Sequence, residues 1–148
     1  MPIHFYSKSA AFSEFSNFAP FPIAIDGERW PSVEHYYQAQ KTEDLDVREK
    51  IRNAKHPAEA KKRGAASNAP MRADWEAVKD EIMHRAVQAK FTSHESLALL
   101  LLSTGNEELV EAVSGDGYWG AGRDGGGQNK LGKILMRVRE DLRAARGD

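Results

Sequence analysis

A chain of 148 residues is long enough to bury a core of its own as one domain, and 41% hydrophobic with 29% charged residues excludes a disordered chain. A formal net charge of -1 gives no global attraction to nucleic acid or to an anionic membrane, so any such contact has to be local. The absence of cysteine excludes disulfides, thiolate zinc sites and cysteine nucleophiles. The opening Met-Pro-Ile-His-Phe-Tyr lacks the basic-then-apolar plan of a signal peptide. The longest apolar run, Leu97 to Leu102, falls far short of the ~20 residues that span a bilayer, so the expectation is a cytoplasmic protein without a membrane partner.

Along the chain, Phe12, Phe15, Phe18 and Phe21 lie three apart, but Pro20 and Pro22 argue against one continuous helix there. Pro22 to Ile25, then Asp26-Gly27, then Glu28 to Trp30 predicts a short hairpin, because Asp-Gly suits a tight turn. Pro31-Ser32 opens a helix with Ser32 as its N-cap. A short helix is expected over Leu45 to Ala54, and another starts at His56-Pro57 and ends at Gly64. Asp74 caps a longer helix with Trp75, Val78, Ile82, Ala86 and Ala89 on one face. Helix continues over His94 to Leu102, closed near Thr104-Gly105, with a strand around Leu109 to Val113. The last helix runs from about Asn129 into the 140s with Leu131, Leu135, Val138 and Leu142 as its stripe. The expected fold is a helix-dominated α+β single domain, residues 1–148, with a small sheet near the N-terminus.

Two nucleotide-binding patterns overlap in "GYWGAGRDGGGQNKLGK", and neither fits its context. Gly120 to Gly125 spells G-x-G-x-x-G, but only Tyr118-Trp119 precedes it and no βαβ unit follows. Gly127 to Lys133 resembles a P-loop, but the residue after Lys133 is Ile134 rather than Ser or Thr. A glycine-dense loop leading into a helix at Asn129 remains, and its amides suit an anion or sugar-phosphate cradle. Trp119 within it offers a stacking face and Asp116 a carboxylate; the bland reading is a surface loop without a ligand.

The second informative stretch is "WPSVEHYYQAQK". At about 100° per residue, Glu34, Gln38 and Lys41 share one helical face, flanked by Tyr37. Such a face is ordinarily a solvated ion pair contributing under ~1 kcal/mol. Facing a cleft instead, Glu34 becomes a general acid or base and a desolvated Lys41 a nucleophile toward a carbonyl. His35 falls on another face and reads as a packing or hydrogen-bonding residue. The five histidines include no H-x-x-x-H or H-E-x-x-H spacing, so metal catalysis is not expected.

Taken in order, "FSNFAPFPI", "WPSVEHYYQAQK", "MRADWEAVKDEIMHRAVQAKF" and "DGYWGAGRDGGGQNKLGKILM" resemble the YbiA-like NADAR proteins, from Phe5 to about Arg139. The resemblance implies an N-glycosidase that hydrolyses the bond between ribose C1′ and a nitrogen, without a cofactor. The implied substrates are phosphoribosylamino-pyrimidine intermediates of riboflavin biosynthesis, or ADP-ribosylated guanine in nucleic acid. It implies Glu34 as acid/base, Lys41 as the amine that forms a Schiff base with the opened sugar, and Asp116 as a second carboxylate. Asn17 and Phe18 in "FSNF", Tyr37 and Gln38, and Trp119, Gly120, Gly122 and Asn129 would then line one sugar and base pocket. Some relatives carry an acidic residue where this chain has Ala121, which bears on substrate preference. The rival expectations are a non-catalytic module that binds ADP-ribose or a related nucleotide, and a structural protein. Lys130, Lys133, Arg137, Arg139, Arg143 and Arg146 offer a basic track for a nucleic-acid substrate, against the simpler expectation of a solvated helix whose cations complement its C-terminal dipole.

Overall fold

Turn and cap chemistry sets the first elements of the computed structural model, which describes residues 1–147. The fold is α+β, with six helices and four three-residue strands among the described residues. The chain divides into two compact units, residues 17–90 and residues 1–16 with 91–148.

β1 (Ile3–Phe5) belongs to the unit of residues 1–16 and 91–148; in the unit of residues 17–90 the expected hairpin forms, β2 (Ile23–Ile25) pairing antiparallel with β3 (Glu28–Trp30). Asp26 and Gly27 both take positive φ, 55° and 81°, the turn whose twist matches paired strands. Alternation along the two strands buries Ile23, Ile25 and Trp30. α1 (Val33–Gln40) starts at Ser32, whose Oγ accepts from the His35 amide at 3.2 Å. His35 Nε2 lies 2.9 Å from the Ala54 carbonyl and must donate to it, so Nδ1 accepts from the Ser32 hydroxyl at 2.7 Å. Burial lowers the pKa of His35, as a neutral ring requires. α2 (Leu45–Arg52) is capped by Asp44, and α3 (Pro57–Ala66) begins with proline at its first position. α1 packs against both.

α2 ends two residues before the expected Ala54, and α3 runs on past Gly64 instead of stopping there. Gly64 is a packing residue and not a terminator: a Cβ there would stand 2.6 Å from Gln38 Oε1. α4 (Trp75–Ser93) buries Trp75 and Ala86 of the expected stripe but not the rest of it. Val78, Ile82 and Ala89 are half-buried, whereas Met83, Ala86, Val87 and Lys90 are buried. The Lys90 amine sits 5.7 Å from the centre of the Phe21 ring, so a lysine occupies a place that a reading of apolar residues alone leaves out.

In the other unit, β1 pairs in parallel with β4 (Leu109–Glu111), in register Ile3↔Leu109 and Phe5↔Glu111. The strand stops at Glu111, two residues short of the expected Val113. Phe5, Phe15 and Phe91 form a chain of ring contacts at 5.7 and 5.8 Å. α5 (Glu95–Ser103) buries Leu97, Ala98 and Leu101, and α6 (Lys130–Arg146) buries the expected Leu131, Leu135, Val138 and Leu142. The cations of α6 are not a simple solvated face. Arg139 is buried and donates to Thr104 Oγ1 and the Glu107 carbonyl, both at 2.8 Å. Arg143 donates to the Gly105 carbonyl, and Arg146 grips Glu95 with both guanidinium nitrogens. No described helix is long and apolar enough to cross a membrane.

Candidate functional site

α1 is buried on every side from Val33 to Ala39, and this decides the character of its polar stripe. Glu34 and Gln38 are each only 5% exposed, so the expectation of a solvated face does not hold. Gln38 Nε2 donates to Glu34 Oε2 at 2.7 Å, one helical turn along. The Glu34 amide donates to the Asn17 carbonyl at 3.2 Å, and Asn17 Nδ2 reaches Met83 Sδ at 3.4 Å. Lys41 closes the helix, with its amine 5.2 Å from the centre of the Tyr37 ring and its carbonyl accepting from the Arg72 amide at 2.7 Å. Tyr37 in turn stacks obliquely on Trp75 at 5.2 Å.

Gln38 and Lys41 face a cavity of about 330 Å³, within the range of small-ligand pockets. Thr42, Lys61, Gly64 and Met71 are among its other walls. Lys61 places its amine 5.7 Å from the Phe18 ring centre, which ties Phe18 to the same neighbourhood. Burial lowers the pKa of Lys41 most; the Glu34 charge pulls it back up, and the Lys61 and Lys79 charges push it further down. A larger fraction of neutral amine follows, and with it nucleophilic capacity. Asn17, Phe18, Glu34, Tyr37, Gln38 and Lys41 are thus brought together around one helix. Lys61, Thr42 and Gly64 were not foreseen. The one signal for them was a glycine inside a stretch that otherwise reads as helix.

Asp116, Trp119, Gly120, Gly122 and Asn129 lie in the other unit, where each has local structural employment. Asp116 Oδ1 accepts from the Tyr118 and Trp119 amides, both at 2.9 Å, an Asx-type turn. Trp119 is 9% exposed and meets Tyr118 edge-on at 4.9 Å. Gly122 has φ 75°, a region that disfavours a side chain. Six amides of the expected cradle already have partners within this unit. Gly122, Gly127, Gln128 and Asn129 donate to carbonyls of Val113, Ala121, Gly117 and Gly120, and the first amides of α6, Lys130 and Leu131, donate to Tyr118 and Trp119. A loop this dense in glycine folds its carbonyls back on its own donors, which leaves those amides no capacity for an anion. Gly132 and Lys133 lie within α6, in keeping with the rejection of a P-loop. Among the described residues no group of three or more His, Asp or Glu side chains is placed to hold a metal ion.

The NADAR domain family profile matches residues 4–143. N-glycosidase YbiA of Escherichia coli (strain K12) is 47% identical over 140 residues, covering 95% of this chain and 88% of that protein. An N-glycosidase of Nostoc punctiforme is 44% identical over 146 residues, covering 97% and 94%. A riboflavin biosynthesis protein of Vibrio vulnificus is 43% identical over 141 residues, which is 95% of this chain and 38% of that longer protein. The NMR structure of E. coli YbiA superposes with a TM-score of 0.91 at 44% identity, over 100% of this chain and 88% of that one.

Proposed function

The chain belongs to the NADAR domain family and is an N-glycosyl hydrolase, and from that premise we propose that it cleaves the N-ribosyl bond of a phosphoribosylamino-pyrimidine at the α1 cavity. One observation carries the reading: a buried carboxylate, Glu34, and a desolvated amine, Lys41, stand on one helical face, and Lys41 lines a hollow of small-ligand size together with Gln38, the hydrogen-bond partner of Glu34. Solvated surface charges of this kind would do nothing in particular; buried ones are costly and invite a chemical reason.

In the proposed reaction the C1′–N bond breaks with its electron pair leaving on the nitrogen, which takes a proton from solvent. Positive charge develops on the sugar, and the Glu34 carboxylate stabilises it from a site with little water. Water adds its oxygen to C1′ and gives up a proton through Glu34. Where the sugar ring opens instead, C1′ stays joined to the base nitrogen as an imine. The Lys41 amine adds to C1′, and the base amine leaves with the C1′–N electron pair and the proton that Lys41 gives up. Water hydrolyses the resulting Lys41 imine to the sugar aldehyde and the free amine. Lys61, across the cavity, supplies a cation for the sugar phosphate.

The name of the Vibrio relative supports a riboflavin-pathway substrate. ADP-ribosylated guanine in nucleic acid would call for a basic track, and on α6 Arg139, Arg143 and Arg146 are committed to partners in their own unit. A non-catalytic nucleotide-binding module would need neither an ionisable Glu34 nor a nucleophilic Lys41. Glu34→Gln and Lys41→Ala are therefore expected to lower release of ribose 5-phosphate from the pyrimidine substrate by about 10²-fold or more, with ligand binding retained. Parent-like turnover in both variants refutes the assignment. Release from an ADP-ribosylated guanine oligonucleotide but not from the pyrimidine would move the substrate to nucleic acid.

A further inference from the structure

The stretch that joins α3 to α4 supplies three walls of the α1 cavity, Ser67, Ala69 and Met71. Local bonds hold it in place. The Ala69 amide donates to Ser67 Oγ at 3.0 Å, Pro70 fixes its own φ, and the Arg72 amide donates to the Lys41 carbonyl at 2.7 Å. Arg72 in turn grips Asp74, just ahead of α4, through Nε at 2.6 Å and Nη2 at 3.1 Å. The backbone next to Met71 is thus tied to the residue that carries the amine. A large apolar side chain stands there with little to cover it: Met71 is 57% exposed.

Far from any cavity, one exposed methionine would need no explanation. On the wall of a cavity it is apolar area that a ligand can cover. The walls divide by chemistry: Lys41, Lys61 and Thr42 offer charge or a hydroxyl, whereas Val47, Ile51, Ala65, Ala69 and Met71 offer neither. Ile51 is buried, Val47 is half-buried and the alanines are short, so among these apolar walls Met71 is the long and adaptable one. A sugar phosphate goes to a cation, which leaves the flat, uncharged ring for the apolar wall. With C1′ at the Lys41 amine, the ring is attached one atom further on, within the neighbourhood that the Arg72–Lys41 bond assigns to Met71. We propose that Met71 is the residue against which the pyrimidine ring of the substrate rests, its thioether covering the ring at the α1 cavity and so selecting a flat aromatic leaving group. This rests on the N-ribosyl reading above. A thioether packs favourably on an aromatic ring with its sulfur about 5 Å away. The contact is the same before and during bond cleavage, so it acts on KM and leaves kcat alone.

The test has a kinetic arm and a footprinting arm. With the phosphoribosylamino-pyrimidine as substrate, Met71→Ala should raise KM by about 3–10-fold with kcat within about twofold of native. Met71→Leu, which keeps the apolar reach, should bring KM back to within about twofold. A native KM in Met71→Ala overturns the inference, as does a loss confined to kcat. In the second arm, dilute peroxide oxidises exposed methionines of the native protein to the sulfoxide, and peptide mass spectrometry compares Met71 with Met1. Met1 is 94% exposed and lies in the other unit, so it corrects for any peroxide that a ligand consumes. The free aminopyrimidine should slow oxidation of Met71 relative to Met1 by about threefold or more, and ribose 5-phosphate should leave the ratio unchanged. No protection by the aminopyrimidine, or equal protection by the sugar phosphate, overturns the role of Met71. Should the native protein not cleave the phosphoribosylamino-pyrimidine, the N-ribosyl reading fails separately and the footprint decides about Met71 by itself. Melting curves check that each variant folds; if Met71→Ala does not, the footprint of the native protein again decides.

Discussion

Replacing Asn129 with alanine separates two roles that a candidate pocket residue can have. Asn129 is 8% exposed and sits in the left-handed region, φ 50° and ψ 44°, just before α6. Its Nδ2 donates to the Leu109 carbonyl at 2.9 Å, and its Oδ1 accepts from the Glu111 amide at 3.0 Å. Both bonds brace β4, and Gly132 presses close enough that a Cβ there would collide with Leu109 O and the Asn129 amide. Truncation leaves a buried carbonyl and an amide without these partners, at about 1–3 kcal/mol each, and alanine tolerates the left-handed region less well than asparagine by about 1 kcal/mol. We expect a loss of about 3–7 kcal/mol, which for a chain of this size is a melting temperature lower by about 10 °C or more. Circular-dichroism melting measures it, and Asn129→Gly should recover about 1 kcal/mol of it by relieving the backbone. At 15 °C, where the variant is still folded, kcat/KM should stay within about threefold of native. A melting temperature within about 2 °C of native together with a 10²-fold loss of kcat/KM would refute this reasoning and make Asn129 a substrate-binding residue.

Ser32→Ala removes both the cap of α1 and the hydroxyl partner of His35 Nδ1, and should cost about 2–4 kcal/mol in chemical denaturation; a loss below about 0.5 kcal/mol would mean that the cap is not holding the helix that carries Glu34. Lys41 has a pKa below the ordinary lysine value of 10.5 because burial disfavours its charge. In the folded state it gives up its proton at lower pH than in the unfolded state, so the cation costs stability fully below its folded pKa and not at all above 10.5. Lys41→Met should therefore raise the denaturation midpoint near pH 7, and the gain should shrink as the pH climbs toward 10.5; a gain that grows with pH would contradict the direction of the shift.

Local chemistry was legible in the residues themselves. Asp26-Gly27 announced the hairpin, Ser32 the start of α1, and the spacing of Leu131, Leu135, Val138 and Leu142 the buried side of α6, because turns, caps and periodicity depend on neighbours within a few positions. The shared helical face of Glu34, Gln38 and Lys41 was equally a matter of counting along the chain. Whether that face met water was not, since desolvation is a property of what packs around a residue. The pairing of Ile3 with Leu109, the burial of Arg139 and the self-bonded glycine loop likewise join groups whose partners no local rule identifies. Gly64 shows the division at one position: its lack of a side chain looked like a helix end, and only the side of Gln38 lying against it reveals that the glycine is there to be approached. Conformational preference is written residue by residue, whereas burial, and with it the reactivity of the acid and the amine, arises only when distant segments close around them.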